Sequence, residues 1–547
     1  MRGKKGVSKS GSAPRSSPAQ RTLKDWSPHG TIWLQQTLID RRRETMTQNR
    51  SAFLSFSLAL LVLGIPACTR KAQVRFPVEQ YQALVQEGDN VFQKGHLWAW
   101  READRRYEKA WAMAQSDELL EQRVLCLTLQ ITRERDELIF GSEARRRLEQ
   151  LSPVTRPKLR LLLALADAYG QPKASLPADL SSLPFDTLLD TQSSPAESYI
   201  YLLCLKTFHP EKYQEAEVAL LERHKQSNIF RYSAPMEDEE IDHFLQLESE
   251  FAELRVFRGH SCFQKTELAK AREQFEKTVE LLPDHAEAVN ALGDVYLFGF
   301  RDSAKALEQY EAALKIDANN IKSLFGKALV LHYFGQYAES TRFLDILLSE
   351  KQKWDHLSDR QAQYYQGHAY YYKAYNAYLS ENHSEARKWI DTAKGYVPNF
   401  GGVYYLSGLL YYRLREMEPA ASDFLQALEE GREYCDAPYY LGLIDRLRKG
   451  EQTSAYFLAC GDCYRSNLLE ARKRVEGIPT MDISEPEKLI LKGKLEKDIL
   501  DLGQTAGKIL NDILRILPEI EFEGKELQTQ LLTEVFQELQ AAAGSPD

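Results

Sequence analysis

The string ACGDCYRS places Cys460 and Cys463 in a Cys-x-x-Cys arrangement. Two thiols at that spacing can cycle between dithiol and disulfide when one thiolate is stabilised, as it is at a helix N-terminus. They could also be half of a tetrahedral metal site, but that requires a second Cys or His pair at ligand spacing, and the chain offers none. Structural thiols or a local disulfide are the third reading. Cys126, Cys204, Cys262 and Cys435 are widely scattered, and text such as LCLTL and YLLCLK suits buried free thiols. The eleven histidines are dispersed, with HP at 209–210 and DH at 284–285 and 355–356 reading as turns. A glycine-rich phosphate loop, a zinc-helix signature and a serine elbow are all missing from the sequence. The residues therefore predict no metal, no cofactor and no small-molecule substrate. The one chemical alternative is a thiol oxidoreductase, or an enzyme accessory protein, using Cys460 and Cys463.

A second cysteine carries a different chemistry. SAFLSFSLALLVLGIPA, residues 51–67, is an uncharged run of 17 residues that ends at Cys68. A membrane-spanning helix needs about 20 apolar residues, whereas a signal-peptide core needs about 7–15, with a positive charge before it and a small residue at the cleavage point. Arg50 and Ala67 supply these. LGIPAC resembles a bacterial lipobox, with Ile65 and Pro66 departing from the commoner residues. The resemblance implies that Cys68 is lipidated and becomes the new N-terminus. A plain cleaved signal and a retained anchor are the alternatives. The run is preceded by a Ser-, Gly-, Pro- and Arg-rich leader, expected to be disordered. Because MTQNR is a sufficient positive region, Met46 is the expected start, and 1–45 is either a mis-assigned upstream reading or a disordered basic tail. In that reading Arg42 and Arg43, written AGG-AGG, would be a ribosome-binding sequence. Residues 46–67 are then the signal and 68–78 a tether.

Charge narrows the partner. Residues 1–67 hold 11 Lys and Arg against 3 Asp and Glu, a charge of +8, so with −9 overall the remainder carries −17. An acidic surface repels phosphate backbones, which argues against nucleic acid. The hydrophobic content of 43% is that of a globular chain, yet 480 residues exceed one ordinary core, which points to several domains or an elongated array.

Nearly all of the text after residue 78 has apolar residues recurring at three and four, the helical period. A longer period overlies it. Gly259 to Gly293 and Gly408 to Gly442 are both 34 residues, Ala374 lies 34 before Gly408, and Ala328 lies 35 after Gly293. Small residues recur twelve further on, at Ala271, Ala386 and Ala420, and at Ala306 with one extra residue in the turn. Large ones follow at Phe275, Tyr310, Ile390 and Phe424, and Pro283 or Pro398 closes a unit. This pattern resembles the tetratricopeptide repeat (TPR) family. The resemblance implies an all-α fold: antiparallel helix pairs stacked in an α-solenoid, because one pair cannot bury its apolar face alone. It is strong over 251–475. A region at 79–250 is irregular, with weaker units at 81–115 (Gly88, Ala103, Tyr107, Ala110) and 197–228 (Cys204, Ala216, Leu220). SEKQKWDHLSDR, after Leu347, is an insertion expected to lengthen a helix or form a loop and bend the superhelix. The unit at 436–466 is degraded, with Asp445 where a large residue is usual. In this register Cys460 and Cys463 fall within a second helix, away from any helix N-terminus, which argues against redox work. The segment 484–547 begins with a capping-box pair, Ser484 and Glu487. Leu495, Ile499, Leu502, Ala506, Ile509, Ile513 and Ile516 then form one stripe, and a last helix follows at about 524–542. These helices read as a cap on the open end of the solenoid or, more sharply, as a partner-binding or dimerising stripe.

In TPR arrays the first helix of each unit lines a concave groove through repeat positions two, five, nine and twelve. Carried onto this chain, position five gives Asn290, Phe325, Tyr371, Tyr405 and Tyr439. Position nine gives Asp294 and Tyr375 among aliphatics, and position twelve gives His332, Tyr378 and Tyr412. The expected partner-binding groove is thus Phe325, His332, Tyr371, Tyr375, Tyr378, Tyr405, Tyr412 and Tyr439. Tyrosine offers area, a hydroxyl and few rotamers to lose. The competing reading is that these rings pack between units. The resemblance implies a membrane-anchored scaffold for a protein or peptide partner in the bacterial cell envelope, of the kind that serves outer-membrane protein assembly, pilus secretin assembly or envelope growth. Thr69, which is not Asp, favours the outer membrane, facing the periplasm, by the sorting habit of lipoproteins.

Overall fold

The computed structural model describes residues 77–543, except 138, 140–142, 152–154, 171–175, 182–183, 232–235, 350–353, 355–356, 432–433 and 523. The leader, the signal and Cys68 lie outside the described residues.

Every described element is a helix. The first block comprises α1 (Val78–Phe92), α2 (Leu97–Met113), α3 (Asp117–Asp136), α4 (Glu143–Gln150), α5 (Pro157–Gly170), α6 (Ala178–Ser181), α7 (Pro195–Phe208), α8 (Pro210–Arg223), α9 (Asn228–Arg231) and α10 (Asp238–Leu247). Its core is built around Trp100, Tyr107, Leu127 and Phe230. The irregular unit at 81–115 is a true helix pair, since a Cβ on Gly88 would lie 2.5 Å from the Tyr107 ring. The block continues into the next unit through Arg101, which binds Asp284 and Glu134 at 2.6 Å each.

The regular pairs follow: α11 (Ala252–Gln264) with α12 (Leu268–Leu281), α13 (Ala286–Asp294) with α14 (Ser303–Ile316), and α15 (Ile321–Tyr333) with α16 (Tyr337–Leu348). Then come α17 (Asp359–Leu379) with α18 (His383–Tyr396), α19 (Gly401–Arg413) with α20 (Met417–Glu430), and α21 (Asp436–Leu447) with α22 (Thr453–Gly477). The packing explains the sequence period. A Cβ on Gly259 would sit 2.7 Å from Phe275, on Gly293 2.6 Å from Tyr310, and on Gly408 2.7 Å from Phe424. The small residue at position eight is the seat of the ring sixteen or seventeen residues later. Ala271, Ala306, Ala386 and Ala420 are fully buried where the paired helices meet.

The turn inside each pair repeats too. Thr266, Arg301, Gly335, Glu381, Arg415 and Lys449 all have positive φ, between 52° and 74°. The left-handed residue ends the first helix and turns the chain back. The 35-residue step after Gly293 has a local cause. Residues 295–299 form a π turn, with Phe300 N donating to Val295 O at 3.0 Å and Asp302 N to Tyr296 O at 2.7 Å. One extra residue is absorbed in a wider turn without disturbing the next unit.

The helix that follows the insertion is lengthened, and of SEKQKWDHLSDR only Asp359 and Arg360 lie in it. α17 runs for 21 residues, starts at a capping box between Ser358 and Gln361, and has Trp354 buried beneath it against the cluster of Leu344, Leu347 and Ala369. Asp445, the odd residue of the last unit, has a capping role: its Oδ2 accepts from Thr453 Oγ1 at 2.8 Å and from Gln452 N at 3.0 Å.

Two helices remain, α23 (Glu485–Ile516) and α24 (Lys525–Ala543). At 32 residues, α23 spans about 48 Å at 1.5 Å per residue. Its second half and α24 cover the last unit: Ala506, Leu510, Ile513, Leu532, Val535 and Leu539 share a core with Phe457, Cys460, Tyr464 and Leu468 of α22. Its first half does something a simple cap does not. Leu491 joins Ile478 and Ile483 in the core of the unit at 252–300, with Leu268 and Phe275. Glu487 is ion-paired to Arg272, Asp498 to Arg301 at 2.7 Å, and Lys494 donates to Phe300 O at 3.3 Å. α23 is therefore a strap from the last regular unit back to the first.

Candidate functional site

The groove-lining positions fall on α13, α15, α17, α19 and α21. Tyr371, Tyr375 and Tyr378 share one face of α17 because they are four and three residues apart. Each of them is half-buried. The Tyr371 ring meets Tyr372 at 5.0 Å, Phe400 at 5.0 Å and Tyr375 at 5.9 Å between centroids. Phe325 lies edge-on to Tyr365 at 5.6 Å and Tyr372 at 5.9 Å. Further along, Tyr405 stacks on Tyr434 at 5.1 Å, Tyr412 meets Tyr440 at 4.9 Å, and Tyr439 meets Tyr440 at 5.4 Å. Tyr378 carries the Arg413 guanidinium 5.4 Å above its ring.

Burial, then the charges of Asp436, Tyr440, Tyr375 and Tyr378, push the Tyr405 phenol well up. Burial, then Tyr378, Tyr337 and Asp436, raise Tyr375 in the same way. These hydroxyls stay protonated and act as hydrogen-bond donors or acceptors without charge. The rings thus pack against neighbouring rings with part of each body and leave the rest exposed.

His332 differs from the others. It is 8% exposed, its Nδ1 donates to Asn376 Oδ1 at 2.7 Å, and its ring lies 4.9 Å from Tyr375. Asn376 Nδ2 in turn donates to Ser340 Oγ at 3.0 Å. Burial holds the imidazole below its usual pKa, opposed by the Asn376 bond. His332 ties α15 to α17 and holds Tyr375 in place; it does not reach the surface.

Two carboxylates accompany the tyrosines. Asp294, at position nine of its unit, accepts from Tyr310 Oη at 2.7 Å and Asn290 Nδ2 at 3.2 Å, and burial raises it to about 6. Asp436, at position two of the last unit, accepts from Tyr405 Oη at 3.4 Å and from Tyr464 Oη, and burial raises it above the usual carboxylate range. Asp436 was missed by sequence reasoning that weighed aromatics alone. Its register position was the signal that could have found it. Beside this face, between α23 and the units it reaches, lies a recess of about 490 Å³ lined by Leu297, Phe298, Arg301, Tyr333, Lys494 and Asp498.

The cysteine pair does not exist as a pair. Cys463 is disulfide-bonded to Cys435, 28 residues earlier, with Cα atoms 5.3 Å apart. Cys460 is a free, fully buried thiol in the core shared by α22, α23 and α24, and burial pushes it well above an ordinary thiol. Cys460 and Cys463 lie in one cluster with Cys435, and only Cys463 is bonded to it. Gly461, between them, is where Leu532 seats, at 2.5 Å from a built Cβ. Cys460 and Cys463 thus form no dithiol pair in this structure. Among the described residues no group of three or more His, Cys, Asp or Glu is placed to hold a metal ion. No described helix is long and apolar enough to cross a membrane.

Repeated helix pairs, a small residue seating a ring in each, and a left-handed turn at one register are the architecture of the tetratricopeptide repeat fold. The chain has that fold. No family model matches it. It is 25% identical over 174 residues to the TPR repeat-containing protein MJ1428 of Methanocaldococcus jannaschii, a match covering 31% of this chain and 30% of that protein. Among solved structures it is similar to Pseudomonas aeruginosa PilF (17% identity, 38% of this chain and 89% of that chain, TM-score 0.34). It is also similar to PilW, a type IV pilus biogenesis factor (13% identity, 38% and 90%, TM-score 0.33). A tetratricopeptide repeat protein from Parabacteroides merdae covers more of the TPR chain (16% identity, 67% and 99%, TM-score 0.28). Likeness at this level extends to no partner or activity.

Proposed function

We propose that this TPR protein is a scaffold whose concave face, between Asp294 and Tyr439, holds a protein or peptide partner. The observation that carries the reading is the run of half-buried tyrosines on α17, α19 and α21. Their bodies are fixed by ring contacts while part of each remains open, so binding would cost little side-chain ordering. The reading gives the chain no catalytic role. We further propose that it works in the bacterial cell envelope, held by a lipid on Cys68 in the outer membrane and facing the periplasm. The Cys435–Cys463 disulfide supports an oxidising compartment, and the lipobox-like LGIPAC supports the anchor.

The test compares Tyr375→Ala with Tyr412→Ala, combined, against Phe424→Ala, which removes a fully buried ring. Crosslinked pull-downs from the envelope are run beside denaturation curves. The tyrosine pair should lose the prey that the unaltered protein captures while lowering the melting midpoint less than Phe424→Ala, whose cost is about 3–5 kcal/mol. Retained prey with an equal fall in midpoint would make the ladder packing alone. For the anchor, Cys68→Ala and globomycin treatment should each move the protein from the detergent phase to the aqueous phase. Unchanged partitioning would remove the lipid from the reading.

A further inference from the structure

The groove positions two, five, nine and twelve of α13 to α21 hold five charged side chains. Three of them are paired within the protein: Glu287 with Lys322, and Arg446 with Glu519 on the segment after α23. The other two are Asp294 and Asp436, and neither has an ion pair among the described residues. Their partners are tyrosine hydroxyls and one amide. Lys322, the one cation that lowers Asp294, is itself committed to Glu287. A carboxylate withdrawn from water without a cation is held at a cost, and both are raised by burial accordingly. They stand at opposite ends of the tyrosine run, so the face is an aromatic floor between two uncompensated acids.

Tyrosine faces in this chain already receive cations. Lys394 Nζ lies 5.0 Å from the Tyr404 ring centre, Arg387 5.0 Å from Tyr411, Lys305 5.3 Å from Tyr296, and Arg413 5.4 Å from the groove residue Tyr378. The ring quadrupole attracts a cation, and a carboxylate at the floor's edge adds a charge-assisted hydrogen bond.

Resting on the groove reading above, we propose that the partner is a peptide segment presenting Lys or Arg side chains, which lie over the tyrosine faces and reach Asp294 at one end and Asp436 at the other. A cationic segment repays the desolvation of both acids, whereas an anionic one would add a like charge to an already acidic face. Two sites at opposite ends also fix the direction and spacing of basic residues along the segment, giving selectivity beyond general attraction to an acidic protein.

The test uses two labelled nonapeptides of alanine and serine, one carrying three arginines and the other three glutamates. Each is titrated into the full chain by fluorescence anisotropy. The arginine peptide should bind and the glutamate peptide should not. Asp294→Asn and Asp436→Asn should each weaken the arginine peptide about tenfold, the loss of one hydrogen bond to a charged group, with neither melting midpoint falling below the parent's. Glu308→Gln and Glu429→Gln, exposed carboxylates on the second helices, should leave it unchanged. Equal weakening by those controls would show attraction to net charge and overturn the proposal. If both peptides bind and Tyr375→Ala removes both, the groove stands and the cation preference falls. If neither peptide responds to Tyr375→Ala or to the aspartate variants, the groove reading falls with it.

Discussion

Alanine placed at Gly408 and at Gly507 should shift stability in opposite directions, although both glycines are inside helices. At a helical position Ala is favoured over Gly by about 1 kcal/mol. At Gly507, on α23, a Cβ meets nothing within 4 Å, so the propensity gain should appear almost whole. At Gly408 the new carbon would lie 2.7 Å from both Cδ1 and Cε1 of Phe424. Attractive carbon contacts lie at about 3.5–4.0 Å, so the overlap approaches 1 Å. The ring cannot swing away, because Phe424 is fully buried and stacks on Tyr440 with centroids 5.3 Å apart and planes 6° from parallel. Relief must come from moving α19 against α20, and overpacking of this kind costs about 1–3 kcal/mol. Gly408→Ala should therefore be less stable than the parent and about 2–3 kcal/mol less stable than Gly507→Ala. Urea denaturation followed by circular dichroism reads both. If Gly408→Ala is as stable as Gly507→Ala, the ring is not seated on the glycine and the physical account of the repeat period is wrong.

Three further outcomes follow from the same geometry. Cys435→Ser should lower stability by about 3.5 kcal/mol on the chain-entropy account of a 28-residue span, while native Cys460 should resist alkylation until the protein is unfolded; rapid labelling of Cys460 in the folded state would refute its burial. Arg415→Gly should stabilise by up to about 1 kcal/mol, since its φ of 64° strains any residue with a Cβ; a thermal melt checks the sign. Asp294 is raised in the folded state to about 6, so its contribution favours folding below its unfolded value and is lost as pH rises through about 6. Asp294→Asn should accordingly gain on the parent between pH 4 and pH 7, by at most about 3 kcal/mol at 1.36 kcal/mol per unit, and a pH-independent difference in melting midpoint would contradict it.

The repeat was legible in the sequence because its cause is local. Gly259 and Phe275, or Gly408 and Phe424, are 16 residues apart and meet across one turn, so their types recur wherever the turn recurs. The same holds for the capping box at Ser484. What no spacing could reveal is contact between distant parts of the chain. Cys463 is bonded to Cys435, 28 residues earlier, and not to Cys460, a pairing that the Cys-x-x-Cys spacing did not announce. His332 left the groove because Asn376, 44 residues on, offers a buried partner for its ring nitrogen. Asp436 gained its tyrosine donors from α19 and α22. The stripe on α23 announced a buried face, but whether it covers the last unit, the first or both depends on where the superhelix brings its two ends. That is set by small rotations accumulated unit by unit. Composition and period determined the unit; only the folded array decided which units face one another.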